Sequence, residues 1–374
     1  FRQTLNYYPV TGVSRCAATL RFRVLRTRQR GHLLTLCRGI VITVIVSACS
    51  GVLAQQSDPY VVPLTEHGYP DLQGLWTNPS QTPLERPVHL GTTQGYSEAQ
   101  AQSLVDRAQI LDRARVAALD PHRSAPATGG IIDQQADGNY EIMPTEIARV
   151  RGEYRTSFII DPENGRMPIL PGSRDIYAEW REQGFGRFDG PEMRGVLERC
   201  LSPGTQVPLL GVFGGVGTGN PGGDNPVRNI QIVQNENYVV ILGEYFSMVR
   251  IIRLSDETTN YPGDKWMGDS VAYYEGNSLM VYSNNFRPEQ STGILRSSGA
   301  FELSEEYTRV SGNELLLRYT VIDKNMYSEP FTAEIPLRRM DPKNKLYEYA
   351  CHEGNYSLPA MLRAARMEEQ GLLK

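Results

Sequence analysis

The 374-residue chain carries 38 Lys and Arg against 42 Asp and Glu, a formal net charge of −4, with 20 tyrosines and five cysteines. Residues 1–54 hold eight of the arginines and no acidic residue, so the remainder has 30 basic against 42 acidic residues and a net −12. That balance excludes the basic footprint of a nucleic-acid binder and a polybasic membrane patch, and it mainly favours solubility.

Arg21, Arg23, Arg26, Arg28, Arg30 and Arg38 precede a short apolar run at 39–48, and small residues follow before Gln55. A basic flank, a short apolar core and a small-residue cleavage site are the three parts of a secretory signal. The apolar core is too short to cross a hydrocarbon layer that needs about 20 residues. Two cleavage readings stand side by side. Val52-Leu53-Ala54 suits an ordinary signal peptidase, whereas Val46-Ser47-Ala48-Cys49 has the form of a lipobox and would leave a lipid anchor on Cys49. The first methionine is Met143, so residues 1–20 are read as upstream of the leader. Residues 1–54 are therefore expected to be an upstream segment and signal. The mature chain, without a transmembrane helix, is expected in the periplasm or outside the cell, or as a lipoprotein held through Cys49.

Residues 55–150 read as an extended arm and a helix packing on the main domain. Pro, Gly, Thr and Gln dominate 57–96, with Trp76 as the strong apolar anchor. Ser97 with Gln100 forms a capping box for a helix to Leu119, with Leu104, Ala108, Leu111 and Arg115 on one face. Residues 151–374 read as an antiparallel β-domain with a C-terminal helix. Asn164-Gly165 predicts a hairpin between 158–162 and 166–170. Short helices are predicted from Ser173 to Glu182 and from Pro191 to Cys200. Eight strands follow, at 230–234, 238–246, 248–254, 270–275, 278–286, 300–310, 314–322 and 331–338. Gly276-Asn277 and Gly312-Asn313 supply two-residue turns. Such connections predict an up-and-down antiparallel meander, mainly β, closed into a lipocalin-like barrel with a few peripheral helices. A β-sandwich or a propeller fragment is the alternative. A last helix is predicted over 358–373, capped by Ser357.

With Cys16, Cys37 and Cys49 in the leader region, Cys200 and Cys351 remain, and an oxidising compartment predicts a disulfide between them. Gly217–Gly222 matches a dinucleotide pattern formally, but prolines interrupt it and a strand rather than a helix follows. It reads as a loop, and no cofactor is expected. His67, His89, His122 and His352 show no ligand spacing, so no metal is expected either. On strand 248–254, Arg250 shares a face with Met248, Ile252 and Leu254. A turn centred on Ser247 would set Glu244 opposite Arg250 as a polar anchor for a ligand, or as a surface ion pair. The segment 347–356 is the densest polar and aromatic cluster. Within it His352 is a candidate general base and Glu353 its acid partner, held by the Cys351 bridge beside Arg199. Tyr349 and Asn284 complete the candidate ligand-binding set.

Several stretches are similar to a family of secreted bacterial proteins of unassigned function. They are Pro70 to Asn78, Arg199-Cys200-Leu201, Gln231 to Gln234, Tyr274 to Leu279, Asn284-Asn285-Phe286 and, most specifically, Tyr349-Ala350-Cys351-His352-Glu353-Gly354-Asn355-Tyr356. The resemblance spans most of residues 68–370. It implies export and a single fold, and it carries no catalytic residues. Tyr273 stands where such proteins tend to have a tryptophan before the glutamate.

Two functions follow as expectations. One is an exported binding protein for a small apolar, aromatic or glycan ligand. The alternative is a cofactor-independent extracellular lyase, isomerase or hydrolase with His352 as base. The absence of a Gly-x-Ser-x-Gly elbow disfavours the familiar esterase type. A third, an envelope accessory protein, would need a large exposed apolar face.

Overall fold

The computed structural model of the chain describes residues 60–78, 80–115, 122, 145–173, 178–196, 198–201, 229–255, 263–288 and 297–372. The expected leader, both cleavage readings and the anchor at Cys49 lie outside these residues, as does Gly217–Gly222. Among the described residues no helix is long and apolar enough to cross a membrane.

In chain order the elements are β1 (Gly74–Thr77), β2 (Gly95–Tyr96), α1 (Glu98–Arg115), β3 (Arg149–Val150), β4 (Glu153–Arg155), β5 (Ile159–Asp161) and α2 (Ala178–Glu182). Then come β6 (Asn229–Gln234), β7 (Tyr238–Gly243), β8 (Met248–Leu254), β9 (Asp269–Glu275), β10 (Ser278–Asn284), β11 (Glu302–Arg309), β12 (Glu314–Ile322), β13 (Phe331–Arg339) and α3 (Ser357–Glu369). β6 to β13 are the eight strands expected from the sequence; only β7 stops markedly early, at Gly243.

The peripheral elements follow the sequence less closely. Ser97 caps α1 as expected: its N–H donates to Gln100 Oε1 at 2.9 Å, and its Oγ accepts from Gln100 N–H at 3.3 Å. Ala101 and Ala108 are buried on that helix, while Leu111, expected on the same face, is exposed. The hairpin at Asn164-Gly165 is half present. Gly165 N–H closes a turn on Pro162 O at 2.8 Å, but Ile169 bridges Tyr327 instead of returning along β5. Gly165 lies at φ +66°, and a Cβ there would meet the buried Arg86 side chain at 2.8 Å, so the turn needs glycine. Of the helix expected from Pro191 to Cys200, the described residues form a single 3-10 turn, Pro191–Met193.

β1 pairs with both β6 and β13, so β1 and β6 to β13 close into a nine-stranded barrel, with β5 added against the start of β13. The strand that closes it belongs to the expected arm. Trp76, 0% exposed, stands opposite Ile230 on one side and Arg339 on the other. Closure removes the unpaired edges that an open sheet would expose. The expected meander is broken once: β8 and β9 run parallel, with Ile252 opposite Ser270. Parallel neighbours need a connection longer than a short turn, so the two-residue spacing that serves the other hairpins cannot join these two strands.

Alternation sets what fills the interior. On β12, Leu315, Leu317, Tyr319 and Val321 are buried and face Leu337, Ile335, Ala333 and Phe331 of β13. Leu279, Val281, Leu303, Tyr307, Ile252 and Val239 continue the same core. Gln234 fixes the arm across one barrel end, accepting from Leu72 N–H at 2.6 Å and donating to Pro70 O at 3.0 Å. There Tyr69 stacks on Tyr274 with ring centroids 4.5 Å apart. On the outer wall, β2, β4 and β3 form a small sheet. Arg155 Nη2 of that sheet donates to Glu334 Oε2 of β13 at 3.0 Å, with both residues buried.

Candidate functional site

Arg250 points into the barrel, as the alternation of β8 requires, but its partner is not Glu244. The turn after β7 spans Glu244 to Ser247 and sets Ile241, not Glu244, opposite Arg250. Phe246 and Ser247 take left-handed φ values of 63° and 46°, a geometry that absorbs more residues than a turn centred on Ser247. The partner is Glu305 of β11, an inward position between Leu303 and Tyr307. Arg250 Nη1 donates to Glu305 Oε1 at 2.8 Å and Nη2 to Oε2. Nη2 also reaches Ser283 Oγ at 2.6 Å, and Nε reaches Ser270 Oγ at 3.2 Å. Tyr307 Oη donates to Glu305 Oε1 at 2.9 Å. Burial alone would lower the Arg250 pKa, but the Glu305 charge and hydrogen bonds outweigh it and hold the guanidinium above its ordinary value. Burial pushes the Tyr307 phenol well above its ordinary value, with the Glu305 charge adding to it. This cluster satisfies itself. It braces the core and presents no unspent group to an apolar guest.

Glu244 serves the C-terminal tail. Its carboxylate accepts from Asn229 Nδ2 at 2.5 Å and from Tyr347 N–H at 2.9 Å. Tyr349 stacks on Phe246 at 5.0 Å, and its N–H donates to Ser247 Oγ at 3.3 Å. The expected bridge is present: Cys200 and Cys351 Sγ atoms lie 2.10 Å apart. Asn355 Nδ2 donates to Glu198 O at 2.8 Å beside it. Arg199 is half-buried next to this junction, whereas His352 and Glu353 are exposed. Asn284 lies across from Asp269, and its Oδ1 is buried without a hydrogen-bond donor among the described residues. The structure thus gathers Glu244, Tyr349 and the neighbours of Cys200 into a tail-docking junction. Arg250 and Asn284 sit elsewhere. None of these residues lines the open clefts.

Open space lies beside α3, in a shallow concavity of about 600 Å³ against residues 189–191, and on the outer wall. A cleft of about 230 Å³ separates the β11–β12 turn and the end of β13 from residues 78–80 and 146–149. A second, of about 380 Å³, adjoins it along residues 149–152, and Arg149, Ser311 and Glu314 line both. The Gly312-Asn313 turn places Glu314 here. Val310 and Ser311 N–H groups donate to Glu314 O at 3.1 and 3.2 Å, which leaves its side chain at the first position of β12. An ion pair ties the walls together, Arg338 Nη1 to Glu146 Oε1 at 2.7 Å.

Three groups in this cleft have unspent valence. Glu314 is half-buried, its carboxylate has no partner among the described residues, and burial raises its pKa. Arg149 donates through Nε to Gly152 O at 3.1 Å and lies over the Tyr154 ring at 5.3 Å. Its terminal nitrogens find no acceptor among the described residues, and it does not pair with Glu314. Asn78, 1% exposed, accepts from Ser80 N–H at 3.1 Å, while its Nδ2 finds no acceptor among the described residues. A desolvated carboxylate without a partner is costly, and such groups cluster at functional sites. The sequence held partial signals for two of the three: the Gly312-Asn313 turn for Glu314 and the Pro70–Asn78 stretch for Asn78. Arg149 carried none, because its neighbourhood is assembled from distant segments. No protein-family model matches this chain, and no curated protein matches it.

Proposed function

We propose that the chain is an exported binding protein that takes a small ligand in the cleft between the β12–β13 wall and the arm, rather than inside the barrel. The observation that carries this reading is Glu314: a partly desolvated carboxylate faces a cleft that also holds unspent donors of Arg149 and Asn78. Sites that orient a small molecule place a few polar groups in a concavity in this way. Export rests on the basic, apolar and small-residue order of positions 21–54. The Cys200–Cys351 pair supports it, since such bonds persist in oxidising compartments. An apolar guest inside the barrel has less support, because the inward positions are filled and the interior ions are paired. The enzyme alternative gains nothing from His352, which is exposed and lines neither outer-wall cleft.

Mass spectrometry of small molecules released from the exported full-length chain tests the reading. Asn313→Trp, at an exposed turn position lining the cleft, fills the space without touching the core. Wild type should carry or take up a small molecule that the Asn313→Trp variant does not. Equal occupancy in both proteins would remove the cleft as the site.

A further inference from the structure

Glu314 and Arg149 carry opposite charges, line the same two clefts and leave each other unpaired. Bare opposite charges near a protein surface attract appreciably at contact distance. Here each is held by its own wall instead. Glu314 stands at the start of β12, and Arg149, an exposed residue, bonds to Gly152 O and lies over Tyr154. Asn78 Nδ2 adds a donor from a fully buried residue of the arm wall. The site therefore has a negatively charged acceptor on the barrel wall and a pair of donors on the arm wall.

Building on the cleft as the ligand site, we infer that its occupant is a small zwitterion, a free amino acid or a very short peptide. Its ammonium group is set on Glu314 and its carboxylate on Arg149 and Asn78. A neutral sugar offers hydroxyls to the same groups but leaves the Glu314 charge uncompensated. Hydrogen bonds to charged partners are roughly twice as strong as neutral ones, so the zwitterion is the better match to both poles. The arm wall also limits size. The first cleft holds about 230 Å³, room for an amino acid, and the adjoining one of about 380 Å³ leaves room for the further residues of a very short peptide.

Isothermal titration calorimetry on the full chain decides this. The probes are the free L-amino acids, several neutral mono- and disaccharides, and the N-acetyl and α-amide derivatives of any amino acid that binds. At least one free amino acid should bind, and removing either charge should weaken it by about tenfold or more. Glu314→Gln should abolish the penalty for N-acetylation, and Arg149→Met the penalty for amidation. Because the derivatives are tested on wild type, the comparison survives a variant that folds poorly. Binding of neutral saccharides but of no amino acid, lost in Asn313→Trp, would overturn the zwitterion while keeping the cleft. Amino-acid binding indifferent to both derivatives would overturn it too. Binding of no probe, together with no Asn313→Trp-sensitive ligand in the released material, would remove the cleft reading itself.

Discussion

Arg250 of β8 and Glu305 of β11 meet inside the barrel across the two strands that separate them, with side chains 3% and 0% exposed. Two guanidinium–carboxylate bonds join them, and Ser270, Ser283 and Tyr307 take up the surrounding valence. Desolvating two ions costs several kcal/mol each, so the pair's attraction is largely spent on its own burial. Its main effect is on which packing the barrel accepts.

Glu305→Ala should therefore cost far more than the pair is worth. The variant leaves Arg250 charged and unpartnered in the core, a loss of about 3–5 kcal/mol. Replacing both, as Arg250→Met with Glu305→Leu, should recover most of that loss. Urea unfolding of Glu305→Ala, of Arg250→Met and Glu305→Leu singly, and of the double variant checks it. A loss in the double variant equal to the sum of the Arg250→Met and Glu305→Leu losses would mean that the pair is not energetically coupled.

Closure of the barrel rests on Trp76. Its ring is fully buried, its Nε1 donates to Leu72 O at 2.9 Å, and the Arg339 guanidinium lies 4.7 Å from its ring. Trp76→Ala should lower stability by about 3–5 kcal/mol through the cavity and the lost bond. Trp76→Phe should cost less, mostly the unsatisfied Leu72 carbonyl. Hydrogen exchange should then rise first in β1 and at the facing residues of β6 and β13, because those ladders lose their common partner. A uniform rise across all strands would contradict that local role.

The Cys200–Cys351 bond closes a loop of sequence separation 151. In the chain-entropy model such a loop restricts the unfolded chain by about 5 kcal/mol, an upper figure for the stability at stake. The folded tail has other holds, Tyr347 N–H on Glu244 and Tyr349 on Phe246. Cys200→Ser with Cys351→Ser should therefore lower the unfolding midpoint while leaving the barrel assembled. Protease sensitivity should appear first within 341–356. An unchanged midpoint would show that the bond adds nothing beyond those contacts.

How much of this was readable in the sequence depends on distance along the chain. β8 and β12 were read to the residue because alternation and adjacent turns are local signals. Arg250 was placed on the inward face by the same signal. Its partner was missed because Glu305 is 55 positions away, and only the order of strands brings it across. β1 was read as an arm since four residues carry little periodicity; what makes Gly74–Thr77 a strand is the pair of waiting edges on β6 and β13. The disulfide was legible by counting. The cleft was not. Asn78, Arg149 and Glu314 come from three separated segments, and the local signals near Asn78 and Glu314 do not say that these residues meet.

Glu314 gives the cleft a pH signature. Burial raises its folded pKa above the ordinary value of 4.5, so the native state holds its proton more tightly than the unfolded chain. Stability falls as pH climbs from about 4.5 to the raised folded value, and the full penalty remains above it. The side chain is only half-buried, so solvent screening keeps this slope shallow. Glu314→Gln should therefore match wild type at low pH and slightly exceed it near neutrality, as followed by thermal melts across the range. A cationic group bound at Glu314 reverses the preference, because it favours the ionised carboxylate. Ligand affinity should then rise with pH through the same window and level off above it. In the lower part of the window, binding should release a proton, visible as a dependence of the calorimetric heat on buffer ionisation. Glu314→Gln should show neither effect. A wild-type affinity that is flat across the window would place the ligand's positive charge away from Glu314.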